Sequence, residues 1–369
     1  MTDESGARRV VALMGRRDSP TDAVEDYCTW LGRALQAHGW ALEPVRAPWA
    51  ESGWLGSLRW LRQQTAKWRE GWVLVQYTAL SWSRRGFPLG LLAVLWSLRG
   101  CQPRCAVVFH DAEPYPGTRF VDRVRRAVQR RVMRLAYRWS ASAILNVPAE
   151  RISWLPAHPG KAQFIPVGSN IPVPENGRAR RVDEPDERVV AVFGITRGSH
   201  GVVEIAAITE ALRTAREASQ RLKLVAFGRG TREAEHTLRR ALDGLGVEVS
   251  VLGLLPAAEL GCVLSSADVQ LEVRGGVSSR RSSVMAAIAC GVPVVGYRGN
   301  DTDPNIARAG VHLVADSDVP ALGRALREVL GNARLREELR ERNRLAQQNV
   351  FAWERIADQF LKGVIGMEK

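Results

Sequence analysis

The chain has 369 residues, 46% apolar and 25% charged, a balance typical of soluble globular proteins and a length that suits two domains better than one. This excludes long disorder, collagen-like repeats and a disulfide-stapled mini-fold, and five cysteines, few and odd in number, suit a reducing compartment. The formal charge of +13 is unevenly spread: residues 1–180 hold 26 Lys+Arg against 14 Asp+Glu, a net of +12, with eleven of the twelve tryptophans.

The opening MTDESGARRVVALMG has acidic residues first and only a short apolar run, so no secretory signal is read there. Val10–Met14 reads as a strand and Ala23–His38 as an amphipathic helix. Phe87–Leu98, the most apolar stretch, is far too short to span a bilayer. The protein is therefore expected to be cytoplasmic. Short strands follow at Trp72–Tyr77, Ala106–Phe109, Ala143–Asn146 and Gln163–Pro166. Cys101 and Cys105, spaced C-x3-C without a second pair nearby, read as ordinary thiols. Between the strands, Arg119–Arg138 holds eight arginines over a helical stripe of Val121, Val124, Val128, Val132, Leu135 and Trp139. Such a helix can lie on anionic lipid or be a solvated face over a packed stripe.

A Pro-, Gly- and charge-rich segment ending at residue 188 reads as a linker, and strand–helix alternation then restarts. Strands are expected at Val189–Phe193, Leu222–Phe227, Val247–Leu252, Val269–Val273, Val292–Gly296 and Val311–Val314, with helices such as Gly201–Ser219 and Arg232–Leu245 between them. Charged helices fill 320–346, and Trp353–Val364 reads as a terminal helix. The division is an N-terminal domain over 1–175, a linker over 176–188, a C-terminal domain over 189–345 and a closing helix over 346–369 that packs back on the first domain. Two such alternations imply two doubly wound parallel sheets, an α/β chain with ligands beyond the carboxyl ends of the strands. With two sheets in tandem, a cleft between them is the expected site.

A basic, Trp-rich half should meet an anionic partner, a membrane surface or nucleic acid. Trp favours the membrane interface, and no nucleic-acid-reading motif is present, so no specific nucleic acid is expected.

The segments VVFHDAEPY (107–115), FIPVGSNIP (164–172), VAVFGITRGSHG (190–201), LKLVAFGRG (222–230), VLGLLPAAELGCVLSSADVQLEV (251–273), GGVSSRRSSVMAAIACGVPVVGY (275–297) and FAWERIADQF (351–360) resemble retaining GT-B glycosyltransferases. The resemblance is to the family 4-like group with a PimA-like or sucrose-synthase-like fold, and it covers nearly the whole chain. It implies two Rossmann-like domains facing a cleft, a nucleotide-sugar donor on the C-terminal domain, and an acceptor on the N-terminal one. Two departures stand out. The group's Glu-x7-Glu falls on Ser278 and Ala286, and its diphosphate-gripping Arg and Lys fall on Ile195 and His200, with Arg197 between.

Arg280 and Arg281, just before Ser282 and Ser283 at an expected helix start, can supply the missing positive charge to a leaving diphosphate; solvated loop arginines are the alternative. His110, ending a strand, matches the group's cleft histidine and can donate to a sugar hydroxyl or phosphate; a structural hydrogen-bonding role is the alternative. Catalytic roles are therefore expected for His110, Arg280 and Arg281, and donor contacts for Gly194, Arg197, His200, Gly228, Gly253, Leu254, Ser278, Ser282 and Ser283. Gly15, Arg16 and Arg17, after the first strand, are expected on the acceptor side. The triplets Asp301–Asp303 and Asp316–Asp318 read as turns and helix caps rather than metal ligands, so no metal or other cofactor is expected. The expected function is glycosyl transfer, retaining by resemblance, to a glycan or lipid-linked acceptor in cell-envelope or polysaccharide synthesis. The protein would be peripheral on the inner membrane face. A non-catalytic glycosyltransferase-like binding or scaffold protein is the alternative that the missing carboxylates suggest.

Overall fold

A strand covered on both faces must be apolar at nearly every position, and the strands read from the sequence have that character. A computed structural model describes residues 8–18, 22–69, 71–100, 104–174, 187–216 and 221–366. Cys101, most of the expected linker (176–186) and the last three residues lie outside the described residues. The chain divides into two compact units with the boundary at Gly168–Ser169, and from Trp353 it returns to the first unit.

Unit 1 contains β1 (Arg8–Met14), α1 (Ala23–Gln36), β2 (Trp40–Arg46), α2 (Trp49–Thr65), β3 (Trp72–Tyr77), α3 (Leu89–Gly100), β4 (Arg104–Phe109), α4 (Phe120–Trp139), β5 (Ser142–Leu145) and β6 (Ala162–Phe164). Its strands form one parallel sheet in the order β2-β1-β3-β4-β5-β6. Leu61 of α2, Leu91 and Leu95 of α3 and Met133 of α4 bury one face of it. The other face is covered by Leu31 and Leu35 of α1, with Trp353, Ile356 and Phe360 from the end of the chain. Each such buried side chain contributes roughly 1.5–3 kcal/mol relative to exposure. β2 and α2 are additions to the sequence reading. Pro44 is tolerated because β2 is an edge strand paired only with β1, and Gly53, at φ +70°, kinks α2 and breaks its apolar period.

Unit 2 contains β7 (Glu187–Phe193), α5 (Ser199–Ala215), β8 (Arg221–Phe227), α6 (Thr231–Leu242), β9 (Val247–Gly253), α7 (Ala257–Ser265), β10 (Val269–Val277), α8 (Ser282–Ala289), β11 (Val294–Arg298), α9 (Pro304–Arg308), β12 (Val311–Val314), α10 (Val319–Gly331) and α11 (Ala333–Ala346). The parallel sheet runs β12-β11-β10-β7-β8-β9, with helices on both faces. The closing α12 (Trp353–Phe360) belongs to unit 1, where Trp353 meets Tyr27 of α1 edge to face.

The two strand orders set where ligands can bind. A doubly wound sheet opens a crevice where its winding reverses. In unit 1 that point lies between β1 and β3, and in unit 2 between β7 and β10.

Of the arginine-rich helix α4, Gln129, Val132, Met133, Ala136 and Tyr137 are buried, whereas Val121 and Val124 of the expected stripe are exposed. Arg125 pairs with Asp122, and Arg126 and Arg134 donate to the carbonyls of Gly117 and Trp154. Among the described residues no helix is long and apolar enough to cross a membrane.

Candidate functional site

At the unit 2 reversal, β7 is followed by Gly194, whose φ of +84° suits glycine. A methyl built there would lie 3.1 Å from Nη1 of Arg274, a residue near the end of β10. Arg274 therefore sits at the crevice between the two strands, held by a network. Its Nε donates to Glu272 Oε1 at 3.3 Å and its Nη2 to Ser283 Oγ at 3.0 Å, and Ser283 Oγ donates to Glu272 Oε2 at 2.8 Å. Glu272 is 2% exposed and also lies 3.8 Å from Arg281 Nη1. One buried carboxylate between two guanidinium groups leaves a net positive charge at the start of α8, where free backbone N–H groups add to it.

The expected residues divide around this centre. Gly194, Arg281 and Ser283 join it. Arg281 is the N-cap residue of α8, and its guanidinium donates to the carbonyls of Gly276 (2.7 Å) and Arg274, bracing its own loop. Arg280 turns away and pairs with Asp301 at 3.0 Å. Either arginine would have to exchange these bonds to grip a ligand. Ser278 is 1% exposed and its Oγ has no hydrogen-bond partner. Ser282 is exposed in the first turn of α8. Arg197 pairs with Glu233 of α6, and His200 is exposed in the first turn of α5. Ile195, where the resembled group has a cation, is a core residue at 3% exposure. Gly228 follows β8 and Gly253 ends β9, both with positive φ, and Leu254 beyond Gly253 is exposed. The aspartate triplets cap helices: Asp303 accepts from Asn305 N and Ile306 N, and Asp318 from Ala321 N.

In unit 1, His110 follows β4 and sits among amides. Its Nε2 lies 2.8 Å from Gln76 Oε1, and its Nδ1 lies 3.4 Å from Asn146 Nδ2. This pattern fits a neutral ring that donates through Nε2 and accepts at Nδ1. Burial lowers its pKa from 6.5 to about 4, opposed in small part by Asp22. Both ring nitrogens are engaged, so His110 must exchange one bond to touch a sugar. Asn146 Oδ1 is buried without a partner. At the β1/β3 reversal, Gly15 packs against the carbonyl of Ser81, which would lie 2.3 Å from an added Cβ, and Arg16 N donates to that carbonyl at 2.8 Å. Arg17 pairs with Glu25, and Arg46 joins Glu25 to Asp22, the N-cap of α1.

Arg274, Glu272, Gln76 and Asn146 were missed in sequence. Glu272 and Arg274 sit in and beyond a buried run, where charge is exceptional unless paired, and that was the available signal.

Residues 192–332 match the family described as Glycosyl transferases group 1. Among solved structures, the chain is similar to Anabaena HepE in complex with UDP and glucose, at 14% identity and a TM-score of 0.65, covering 98% of this chain and 100% of that one. It is similar to sucrose-phosphate synthase from Thermosynechococcus elongatus at 19% identity and a TM-score of 0.66, covering 95% and 97%. A structure named as a UDP-N-acetylglucosamine 2-epimerase from Listeria monocytogenes matches at 14% identity and a TM-score of 0.62, covering 98% of each chain. No curated protein matches the chain by sequence. These likenesses carry the fold, the two-domain α/β GT-B arrangement that the resemblance implied.

Proposed function

We propose that the protein transfers a sugar from a nucleotide-activated donor to an acceptor, with the donor diphosphate held at the β7/β10 reversal of unit 2. One observation carries this: Arg274 lies against Gly194 at the crevice where a doubly wound sheet binds its ligand. The match of residues 192–332 to group 1 glycosyl transferases supports it, and the structure of HepE in complex with UDP-glucose makes that nucleotide-sugar the first donor to test. Glycosyl transfer needs negative charge stabilised on the departing diphosphate while the sugar gains oxocarbenium character. Arg274 and the first N–H groups of α8 supply fixed positive charge, with Arg281 holding the loop between them. This arrangement needs no metal, so nucleotide binding should persist in EDTA. The retaining outcome and a glycan or lipid-linked acceptor on unit 1 belong to the same proposal.

The test is release of UDP from UDP-glucose by the purified protein, alone and with candidate acceptors, beside Arg274→Ala. Turnover that falls at least about ten-fold in the variant supports the reading. Equal turnover in both proteins rejects the site. A second reading, donor binding without transfer, draws on the buried Ser278 and Ala286 where the resembled group has carboxylates. It predicts UDP binding with no turnover under any condition.

A further inference from the structure

Beside the β1/β3 reversal of unit 1 lies a cavity of about 460 Å³ that the donor site does not use. Its lining includes Trp49, Trp54, Arg84, Arg85, Phe87 and Leu89. Trp49 ties it to the reversal, because its Nε1 donates at 3.0 Å to the Ser81 carbonyl that also receives Arg16 N. Trp54 stacks on buried Trp49, with ring centroids 5.1 Å apart and planes within 4°. Half-buried Trp54, stacked on Trp49 and packed against Gly90 of α3, is therefore a braced indole whose remaining exposed part lines the cavity.

The loop carrying the two arginines is held from its backbone. Arg125 Nε donates to the Arg85 carbonyl at 3.0 Å, Gln129 Nε2 donates to the Gly86 carbonyl at 2.8 Å, and Ser83 Oγ accepts from Phe87 N at 2.9 Å. The guanidinium groups are not neutralised: among the described residues neither Arg84 nor Arg85 makes an ion pair, and Arg84 reaches only the Ala50 carbonyl at 3.3 Å. A rigid indole beside two uncompensated guanidinium groups suits a ligand with a C–H-rich ring and an attached anion. The cavity's one lining hydroxyl, Ser83 Oγ, accepts from two backbone N–H groups and keeps its O–H to donate to a ligand oxygen.

We infer that this cavity binds an anionic saccharide, a sugar ring on Trp54 with a phosphate or carboxylate on Arg84 and Arg85. If unit 1 takes the acceptor, this specifies the acceptor's class, and in that sense it rests on the function proposed above. The lining Leu89, 58% exposed, adds apolar surface at the rim, so a phosphorylated lipid headgroup is a suitable source beside a free sugar phosphate.

The experiment follows the Trp54 indole N–H resonance, one of twelve tryptophan signals, identified by its loss in Trp54→Phe. The full chain, saturated with UDP to occupy any donor site, is titrated with glucose 1-phosphate, glucose, inorganic phosphate and UMP. Vesicles of phosphatidylcholine with and without phosphatidylinositol form the lipid arm. Glucose 1-phosphate should move the resonance at lower concentration than glucose or inorganic phosphate. Arg84→Ala/Arg85→Ala should weaken that response about ten-fold or more while leaving UDP affinity unchanged. A response to phosphatidylinositol vesicles alone assigns the same chemistry to a lipid headgroup. No response to glucose 1-phosphate or to phosphatidylinositol vesicles, a stronger response to UMP, or a response that survives the double substitution would overturn the inference. The readout needs neither donor binding nor turnover, so its failure is separable from failure of the glycosyl-transfer reading.

Discussion

The two sheets end in opposite electrostatic designs. At the β7/β10 reversal of unit 2, charge is partly compensated internally, with one buried Glu272 shared by Arg274 and Arg281. At the carboxyl ends of the unit 1 strands, the central polar group is a half-buried neutral imidazole between two amides, and Arg84 and Arg85 of the neighbouring cavity have no carboxylate partner among the described residues, although Arg17 and Arg46 pair with Glu25. A compensated network holds its cations in fixed geometry, as a leaving group requires. Uncompensated arginines on a braced loop instead create a field that attracts an anion from solution. One half is built to position charge and the other to collect it.

Breaking the compensation in unit 2 should have the largest effect. Glu272→Ala leaves two guanidinium groups and Ser283 without their carboxylate, and because both arginines are 29% exposed and can turn to water the loss should be up to about 3 kcal/mol. Urea unfolding should show that loss, whereas Glu272→Gln, which keeps the shape and accepting oxygen, should lose less. Equal stability of Glu272→Ala and the native chain would mean that the carboxylate does not organise the site.

Acid should strain unit 1 instead. Between pH 6.5 and about 4 the unfolded chain binds a proton at His110 that the folded chain does not. Stability should therefore fall as pH drops through that window, by about 3 kcal/mol at its lower end. His110→Gln should remove that slope. Parallel pH profiles for the two proteins would show that His110 is not held neutral.

Arg274 and the pair Arg280–Arg281 offer a finer comparison within unit 2. Calorimetry with UDP should show Arg274→Ala weakening affinity about ten-fold or more, since a charge-assisted contact is worth about 1.5–3 kcal/mol. Arg280→Ala should change it less, because that side chain pairs with Asp301. The reverse order would return the grip to Arg280. Arg274→Lys should restore affinity only in part, lacking the planar fork.

The smallest effect should be at a membrane surface. The net +12 of residues 1–180 and the exposed Leu55, Trp96 and Phe120 of unit 1 lead to sedimentation with anionic vesicles at low salt that weakens as salt rises. Equal binding to neutral vesicles, or none to anionic ones, would reject a peripheral membrane role.

Most of the fold was legible in the sequence because strands buried on both faces leave runs such as Trp72–Tyr77 that need no tertiary information to recognise. Edge strand β2 was not legible: it is half-exposed, contains Pro44 and lacks that signature. The glycines at or just past the ends of β7, β8 and β9 were readable because their positive φ values demand glycine. Residue chemistry alone marked His110, Arg280 and Arg281 as candidates, but not what each side chain would meet. Only the folded chain decided that Arg280 turns to Asp301, that Arg281 braces its own loop, and that Arg274 reaches the crevice at Gly194. The sequence determines which residues lie on strands and loops through local period and backbone preference. Partner choice among long, flexible side chains depends on which strands the winding brings side by side, and Gly194 and Arg274, eighty positions apart, become neighbours only when β10 pairs with β7.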